Sequence, residues 1–229
     1  MRVRWYGQSA FLVEGDKRVF LDPFGDPAPL AARGIEFRYP AIAGVEAALL
    51  LVTHDHFDHN AVEVIGGEPA VLRSPGRHES PVGEVIGVAS EHDGTAGTER
   101  GPNTIFVFSL DGLRIGHLGD FGQPALRPEQ REAIGEVDVL FLPVGGGPTV
   151  GGAEAAAVAQ ELRPRLVIGM HYRTDAVNFL DPPDAFLEAY GARVERLDES
   201  EAEVEPLLGS RDEPVVALFA PPLGATASS

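Results

Sequence analysis

The feature that most constrains this chain is a cluster of histidines and aspartates that directly follows an apolar run at residues 48–52. Four potential metal ligands fall within six residues of the segment Thr53-His54-Asp55-His56-Phe57-Asp58-His59. In an extended segment, side chains two residues apart point to the same side, so His54 and His56 can converge on one ion. Asp58 and His59 need a change of backbone direction and would face a second ion. A buried strand that ends in such a cluster indicates a metal or catalytic site.

The alternative is a solvated, hydrophilic loop. The chain has only seven histidines and three of them lie in this cluster, which favours the metal interpretation. The spacing also differs from the helical HExxH zinc site, whose histidines share one helix face. Because the chain has no cysteine, any metal must be held by His, Asp or Glu, and thiolate zinc sites, iron–sulfur clusters and disulfides are excluded.

Length and charge narrow the class of protein further. A chain of 229 residues with 44% hydrophobic content predicts one packed domain over residues 1–229. No run approaches the ~20 apolar residues of a membrane span, and the start of the chain lacks the pattern of a signal peptide. We therefore expect a cytoplasmic protein without a membrane anchor. A formal net charge of −17 argues against nucleic acid as a partner, because phosphate backbones need a basic surface.

Short apolar or alternating runs predict a strand-rich fold that opens with an antiparallel meander. The predicted strands cover residues 2–6, 10–13, 18–21, 48–52, 85–88, 104–110, 113–115, 137–142, 166–168 and 215–219. Proline and glycine positions predict helices over residues 128–134, 153–162 and 183–190. An acidic loop is expected at about residues 199–213 and a flexible tail from about residue 221. Strands followed by helices, without strict βαβ alternation, indicate an α/β layered sandwich.

The HxHxDH pattern after a strand resembles the signature of the metallo-β-lactamase superfamily. The resemblance covers about residues 1–175 and includes the motifs Ser90-Glu91-His92-Asp93, Arg100-Gly101-Pro102-Asn103-Thr104, His117-Leu118-Gly119-Asp120, Pro143-Val144-Gly145-Gly146 and Met170-His171-Tyr172. Their order is that of a subgroup of predicted metal-dependent hydrolases that is similar to ascorbate-6-phosphate lactonase. The resemblance implies a four-layer αββα sandwich of the metallo-β-lactamase type.

The resemblance also implies a ligand set. It assigns His54, His56 and His92 to a first metal ion and Asp58, His59 and His171 to a second, with Asp120 bridging both. The residues themselves agree, since His92, Asp120 and His171 each follow a predicted strand, and loops after strands can gather at one edge of a layered sandwich. Taken alone, His92 or His171 could be a surface or core histidine, and Asp120 could be a turn residue.

Other residues near these positions are weaker candidates. Asp22, at the end of a predicted strand, is expected to orient a ligand through hydrogen bonds. His117 either does the same or is a buried, hydrogen-bonded histidine. Arg100, Tyr172 and Arg173 lie beside predicted ligands and could grip a phosphate or carboxylate. Both arginines could equally be surface or structural ion-pair residues.

The ligand set implies a hydrolase with two divalent metal ions, zinc or manganese. A metal-bridging hydroxide would attack a small anionic ester, lactone or phosphorylated metabolite without a protein nucleophile, and Asp58 is a candidate to protonate the leaving oxygen. His56 argues against the di-iron redox branch of the fold, whose members usually carry Glu there. Two alternatives stay open: a phosphodiesterase or nuclease of the same fold, and a non-catalytic metal-binding protein. Related lactonases form oligomers, so a homo-oligomer is a further expectation.

Overall fold

The computed structural model describes residues 1–27, 30 and 34–222, which form two large β-sheets and one small one. The strands of this part of the chain are β1 (Arg2–Gly7), β2 (Ala10–Glu14), β3 (Arg18–Leu21), β4 (Val45–Glu46), β5 (Leu49–Leu51), β6 (Ile65–Gly66), β7 (Ala70–Leu72), β8 (Gly76–Ser80), β9 (Gly83–Glu91), β10 (Pro102–Leu110), β11 (Leu113–His117), β12 (Val139–Pro143), β13 (Leu166–Met170), β14 (Arg193–Arg196), β15 (Glu201–Glu203) and β16 (Val215–Leu218). The helices with described bounds are α1 (Pro128–Ile134), α2 (Gly152–Leu162) and α3 (Asp184–Tyr190), and 3-10 turns cover Val62–Val64 and Glu205–Leu207.

The two large sheets combine antiparallel and parallel strands. The six-stranded sheet has the order β15-β1-β2-β3-β5-β7, and the eight-stranded sheet has the order β14-β16-β13-β12-β11-β10-β9-β8. Short turns join β1, β2 and β3, which are antiparallel, whereas β11, β12 and β13 run parallel. Parallel neighbours need a crossover connection, and α1 and α2 lie in the two crossovers. The carboxyl ends of β11, β12 and β13 therefore meet at one edge of the sheet.

Aromatic side chains fill the space between the two large sheets. Phe11 on β2 and Phe141 on β12 are fully buried, and their ring centroids lie 4.7 Å apart. Strand β1 alternates buried and exposed residues, whereas every residue of β12 and β13 is buried. This difference follows from packing, because a parallel strand covered on both faces has no solvent side. Helix α2 provides part of that cover, since it packs on β12 and on α3.

The predicted α/β layered sandwich is confirmed. All ten predicted strands are present, nine of them with shifted ends, and the three predicted helices begin within one residue of their expected starts. The strands that the sequence did not indicate are short or solvent-exposed. β8, for example, reads Gly-Arg-His-Glu-Ser and contains no fully buried residue, so it carries no apolar signal that could reveal it.

The acidic stretch at residues 199–213 differs from the expected loop. Its residues Glu201–Glu203 form β15, which pairs with β1 at the edge of the six-stranded sheet. Arg2 Nε lies 3.0 Å from Glu203 Oε1, and Arg4 Nε lies 3.6 Å from Glu201 Oε2. Opposite charges across two strands stabilise their pairing, so the glutamates that suggested a loop support a strand here.

Two further expectations concern the predicted tail and a membrane span. Apart from residues 221 and 222, the predicted tail from about residue 221 lies outside the described residues. No helix in the described ranges combines the length and the apolar sequence that a membrane crossing requires.

The packing of Phe11 predicts a large effect of truncation. Phe11→Ala removes a fully buried ring between the sheets and should lower the free energy of unfolding by about 3–5 kcal/mol, measured by urea denaturation. The matched control is Phe179→Ala, because Phe179 is 41% exposed and its loss should change stability by less than about 0.5 kcal/mol. Equal stability of the two variants would contradict this account of the core.

Candidate metal centre

Four segments that follow strands converge at one edge of the sandwich. They are the loop after β5, the residue after β9, the loop after β11 and the residue after β13. Their side chains form three overlapping groups, and within each group the possible ligand atoms all lie within 4.8 Å of one another. The groups are His54, His56 and His92; His54, His59 and Asp120; and Asp58, His59 and His171. Every residue that the resemblance named as a ligand is thus part of one cluster.

Asp120 occupies the centre of this cluster. Its Oδ2 lies 3.2 Å from His92 Nε2 and 3.2 Å from His171 Nε2. Its Oδ1 lies 3.4 Å from His59 Nε2, and His54 Nε2 is 4.0 Å from Oδ2. The two oxygens of one carboxylate therefore face histidines that come from three separate loops.

Asp22 orients two of these histidine rings through their Nδ1 atoms, while their Nε2 atoms face Asp120. Its Oδ2 accepts a hydrogen bond from His59 Nδ1 at 3.0 Å and one from Thr53 Oγ1 at 2.7 Å, and its Oδ1 accepts the Thr53 backbone N–H at 2.8 Å. Because the Thr53 hydroxyl donates to Asp22, it accepts from His54 Nδ1, 3.0 Å away. We assign a proton to Nδ1 of both rings on this basis. Asp22 thus contacts one histidine directly and a second through Thr53.

The histidine nitrogens on the opposite side of the rings fit a metal site. His54 Nε2 and His59 Nε2 are buried and have no hydrogen-bond partner. His92 donates through Nδ1 to the carbonyl of Pro148 at 3.2 Å, so its Nε2 also carries a lone pair toward the cluster. Buried polar atoms without a partner cost free energy, and a divalent cation would satisfy these nitrogens together. Anchoring of Nδ1 with Nε2 left free is the arrangement found for metal-binding histidines.

Two non-glycine residues at the cluster adopt left-handed backbone conformations. Asp22 has φ +45° and His171 has φ +51°, a region that costs free energy for residues other than glycine. Gly145 lets the chain come close to His171, because a Cβ there would lie 2.3 Å from the His171 carbonyl oxygen. Gly119 has φ +57°, and a Cβ on it would lie 2.6 Å from Thr53 Cβ. The backbone is therefore strained and tightly packed where it presents these side chains.

Electrostatics in the cluster favour positive charge next to Asp120. Burial opposes protonation of His59, but the carboxylates of Asp120, Asp58 and Asp22 outweigh it and raise the pKa of His59 well above its usual value. Burial also opposes ionisation of Asp120, yet the facing His171 and His59 rings hold the pKa of that carboxyl well below its usual range. These carboxylates would likewise stabilise a bound cation.

The surroundings of His54 and His56 favour the neutral form of histidine. Burial lowers the pKa of His54, and the neighbouring His59 lowers it further. Burial also lowers the pKa of His56, with a further contribution from His92. The neutral imidazole is the form that can bind a metal.

His117 lies behind the cluster and belongs to none of the three groups. Its Nε2 donates to the carbonyl of Ser9 at 3.2 Å, and its Nδ1 accepts the N–H of Gly119 at 3.2 Å. The ring nitrogen Nδ1 is 3.9 Å from Asp22 Oδ2. The structure therefore gives His117 the buried, hydrogen-bonded environment that was one of its two expected roles.

A cleft of about 310 Å³ opens beside His54 and His56, and Arg73 and Arg100 line it. Arg100 belongs to the segment after His92, which turns around the carboxylate of Asp93. That carboxylate accepts the backbone N–H groups of Thr95, Gly97, Glu99 and Arg100. Burial opposes ionisation of Asp93, but these N–H groups lower the pKa of its carboxyl well below the usual range.

Two of the three predicted substrate contacts have other partners. The hydroxyl of Tyr172 donates to the carbonyl of Phe219 at 3.2 Å, and its ring stacks on Trp5 at 5.6 Å between centroids. Tyr172 is buried in the core, which corrects the expectation that it grips substrate. Arg173 is exposed, and its Nε donates to the carbonyl of Leu180 at 2.6 Å, so part of its guanidinium holds the loop after His171.

Three residues at the cluster were not predicted from the sequence. Ser9 donates through Oγ to Asp120 Oδ1 at 3.4 Å. Gln8 is fully buried, neither atom of its side-chain amide has a hydrogen-bond partner, and its carbonyl accepts the His171 N–H at 3.4 Å. Thr53 and these two residues precede or follow predicted strands, but a single polar residue in a turn carries no signal that separates it from an ordinary turn residue.

Comparisons with known proteins agree with this geometry. A family model described as "Beta-lactamase superfamily domain" matches residues 2–171. The chain is 34% identical over 206 residues to a UPF0173 metal-dependent hydrolase of Thermococcus kodakarensis, covering 76% of this chain and 85% of the relative. It is 32% identical to a UPF0173 metal-dependent hydrolase of Pelotomaculum thermopropionicum, covering 80% of this chain and 90% of the relative.

Solved structures show the same fold. A Thermotoga maritima protein named as a Zn-dependent hydrolase of the metallo-β-lactamase superfamily superposes with a TM-score of 0.74 at 31% identity, covering 95% of this chain and 98% of that protein. A protein from Parabacteroides distasonis, named as a metal-dependent hydrolase, gives a TM-score of 0.63 at 16% identity and covers 95% of this chain and 91% of its own. The chain, with its metallo-β-lactamase fold and its cluster of histidines and aspartates, therefore belongs to the beta-lactamase superfamily and, within it, to the UPF0173 metal-dependent hydrolases.

Proposed function

We propose that this protein is a dinuclear metal-dependent hydrolase that acts on a small anionic ester, a lactone or a phosphorylated metabolite. The observation that carries the proposal is the convergence of seven ligand-type side chains in three overlapping groups. Two of their buried histidine nitrogens, on His54 and His59, have no hydrogen-bond partner among the described residues. A single ion would leave part of such a set unused.

The proposed ligands divide between two ions. His54, His56 and His92 would hold the first, and Asp58, His59 and His171 the second. Asp120 would serve both ions, because its carboxylate lies close to His92 of the first group and to His59 and His171 of the second. Nitrogen and carboxylate ligands without sulfur suit zinc or manganese. When bound, such ions supply hydroxide at neutral pH and polarise the carbonyl or phosphoryl oxygen under attack.

The protein's own residues would orient the reaction and move the proton. Thr53, Asp22 and Pro148 hold the rings of His54, His59 and His92 through Nδ1, which leaves these three ligands little freedom to turn. Asp58 is the ligand carboxylate with the most solvent contact, 14% exposed against 4% for Asp120. It is therefore the carboxylate best placed to exchange a proton with a leaving oxygen and then with water.

The size and charge of the cleft support a small anionic substrate. A volume of about 310 Å³ is at the lower end for ligand pockets, which span roughly 300–1,000 Å³. The proposed contacts are Arg100, which lines this cleft, and Arg173, which is exposed two residues after His171. A cytoplasmic location and a homo-oligomeric assembly remain predictions, and the absence of cysteine is compatible with the first.

Replacement of Asp22 should weaken metal binding without unfolding the protein. Three donors bind the Asp22 carboxylate, but the amide of Asp22→Asn would offer them a single oxygen and an N–H₂ group. An N–H₂ group facing His59 Nδ1 would move the ring proton to Nε2, and a protonated Nε2 cannot bind a metal. The expected result is a loss of about 10- to 100-fold in affinity for zinc or manganese, measured by isothermal titration calorimetry. Asp138→Asn is the matched control, because Asp138 accepts hydrogen bonds at the opposite end of β12. Equal affinities of the two variants would remove Asp22 from the metal centre.

The proposed reaction is tested by metal analysis followed by a substrate panel. Protein purified without chelator should carry about two equivalents of zinc or manganese per chain, and it should hydrolyse a homoserine lactone or a sugar-acid lactone in preference to p-nitrophenyl phosphodiester. Removal of the metal should abolish turnover, and its return should restore it. Preference for the phosphodiester would instead support a phosphodiesterase or nuclease. Full metal content without turnover of any substrate would support a non-catalytic metal-binding protein.

Asp58→Asn tests the proposed proton transfer. The amide cannot exchange a proton near neutral pH, so kcat should fall by about 100-fold or more and the pH–rate profile should lose one limb. Metal content is measured in the same preparations, because Asp58 is also a proposed ligand. The control is Asp212→Asn, since Asp212 is exposed and pairs with Arg163. Unchanged kinetics in a fully metal-loaded Asp58→Asn variant would show that another group moves the proton.

A further inference from the structure

The cleft beside the cluster lies between the ends of strands from the two large sheets. Its walls come from residues after β5 and β7 on one side and from the ends of β9 and β10 on the other. His54 and His56 contribute to one wall, and Arg73 and Arg100 stand on opposite strand connections. The cleft is thus lined by two proposed ligands of the first ion and by two arginines, with Asp55 beside them.

Arg100 has no acidic partner in a strongly acidic protein. The chain contains 35 Asp and Glu against 18 Lys and Arg, and many of its arginines are paired; Arg127, for example, lies 2.7 Å from Glu91. Among the described residues no carboxylate lies within ion-pair distance of the Arg100 guanidinium, and its side chain has no hydrogen bond. Arg100, an exposed residue that lines the cleft, thus keeps its guanidinium donors available.

The backbone that carries Arg100 is fixed relative to the cluster. The Arg100 N–H donates to Asp93 Oδ2 at 2.8 Å, and Gly97 N–H donates to Asp93 Oδ1 at 2.7 Å. The N–H of His92 donates to the carbonyl of Gly101 at 3.1 Å. These bonds close the segment between His92 and Gly101 on itself. Arg100 therefore extends from a preorganised turn, so its backbone does not have to become ordered when the side chain binds a ligand.

Arg73 lines the same cleft and forms a solvent-exposed ion pair with Asp55. Its Nη1 lies 3.0 Å from Asp55 Oδ1, and the Asp55 side chain is 85% exposed. Exposed ion pairs contribute little free energy, so an anion in the cleft can compete with Asp55 for part of the guanidinium. Asp55 lies between His54 and His56 in sequence, which keeps Arg73 close to the proposed first ion.

We propose that Arg73 and Arg100 form an anion subsite that binds a phosphate or carboxylate group of the substrate, while the scissile bond lies at the metal cluster. Guanidinium groups bind both anions through paired, charge-assisted hydrogen bonds. The volume of about 310 Å³ admits one such group with a short chain. The assignment of the bound anion to a substrate rests on the proposed hydrolase function. The existence of the anion subsite does not depend on that function.

The test measures binding of inorganic phosphate to the metal-loaded, full-length protein by isothermal titration calorimetry. Arg100→Gln and Arg73→Gln should each weaken phosphate binding by about tenfold, the effect of losing a charge-assisted hydrogen-bonded pair, with metal content unchanged. The matched control is Arg131→Gln, because Arg131 is an exposed arginine in the last turn of α1 with no acidic partner among the described residues. This variant should bind phosphate like the unmodified protein.

Two results would overturn the subsite: no measurable phosphate binding to the unmodified protein, or equal affinities of Arg100→Gln and Arg131→Gln. Phosphate held only by metal ions would give the second result. A parallel titration with acetate identifies the preferred anion, since tighter phosphate binding points to a phosphorylated substrate and tighter acetate binding to a carboxylate. Neither titration depends on turnover, so a failure of the subsite is separable from a failure of the proposed hydrolase activity.

Discussion

The structure depends on the burial of carboxylates and histidines together at one edge of the sandwich. Asp22 and Asp120 are almost fully buried, and His54, His59 and His171 are buried beside them. Charged groups removed from water are costly unless they are paired and hydrogen-bonded. The carboxylate of Asp22 meets this requirement with three donors from the protein. Asp120 accepts a hydrogen bond from Ser9 Oγ and otherwise faces histidine nitrogens, of which His54 Nε2 and His59 Nε2 have no hydrogen-bond partner. This difference separates a supporting residue from a proposed metal ligand.

The supporting network also explains why the ligands come from separate strands. Asp22 follows β3 and Thr53 follows β5, and these strands are parallel neighbours in the six-stranded sheet. The hydrogen bonds between Asp22 and Thr53 therefore continue the pairing of β3 and β5 beyond their ends. Asp120 and His171 come from the other sheet, at the carboxyl ends of β11 and β13. The cluster thus joins the two sheets at their edge, and a change in the sheet packing would alter the distances between proposed ligands.

Much of this arrangement could be predicted from the sequence, because the strongest signals are local. The segment from His54 to His59 follows an apolar run, and two-residue periodicity alone places His54 and His56 on one side. His92, Asp120 and His171 could be assigned only through the resemblance, since a lone histidine after a strand has many roles. Their positions after β9, β11 and β13 are a consequence of the fold, which local patterns indicate without specifying which strands are neighbours.

The features that the sequence did not predict depend on contacts between distant residues. Tyr172 is adjacent to His171, so proximity along the chain suggested a role in the site. The backbone turns at His171, which has φ +51°, and the Tyr172 ring packs into the core against Trp5. The glutamates of β15 suggested a loop because their partners, Arg2 and Arg4, lie about two hundred residues earlier. Long-range pairs of this kind leave no periodic pattern in the segment that carries them.

The negative charge of the whole chain and an anionic substrate are compatible for a physical reason. Interactions between exposed charges are screened beyond about 8 Å at physiological ionic strength, so most of the 35 acidic residues contribute little inside the cleft. The charged groups that line the cleft are Arg73, Arg100 and Asp55, beside the proposed ligands His54 and His56, and divalent ions would add further positive charge. The net charge of −17 then acts mainly on the rate of encounter, while affinity is determined by the few cationic groups within the cleft.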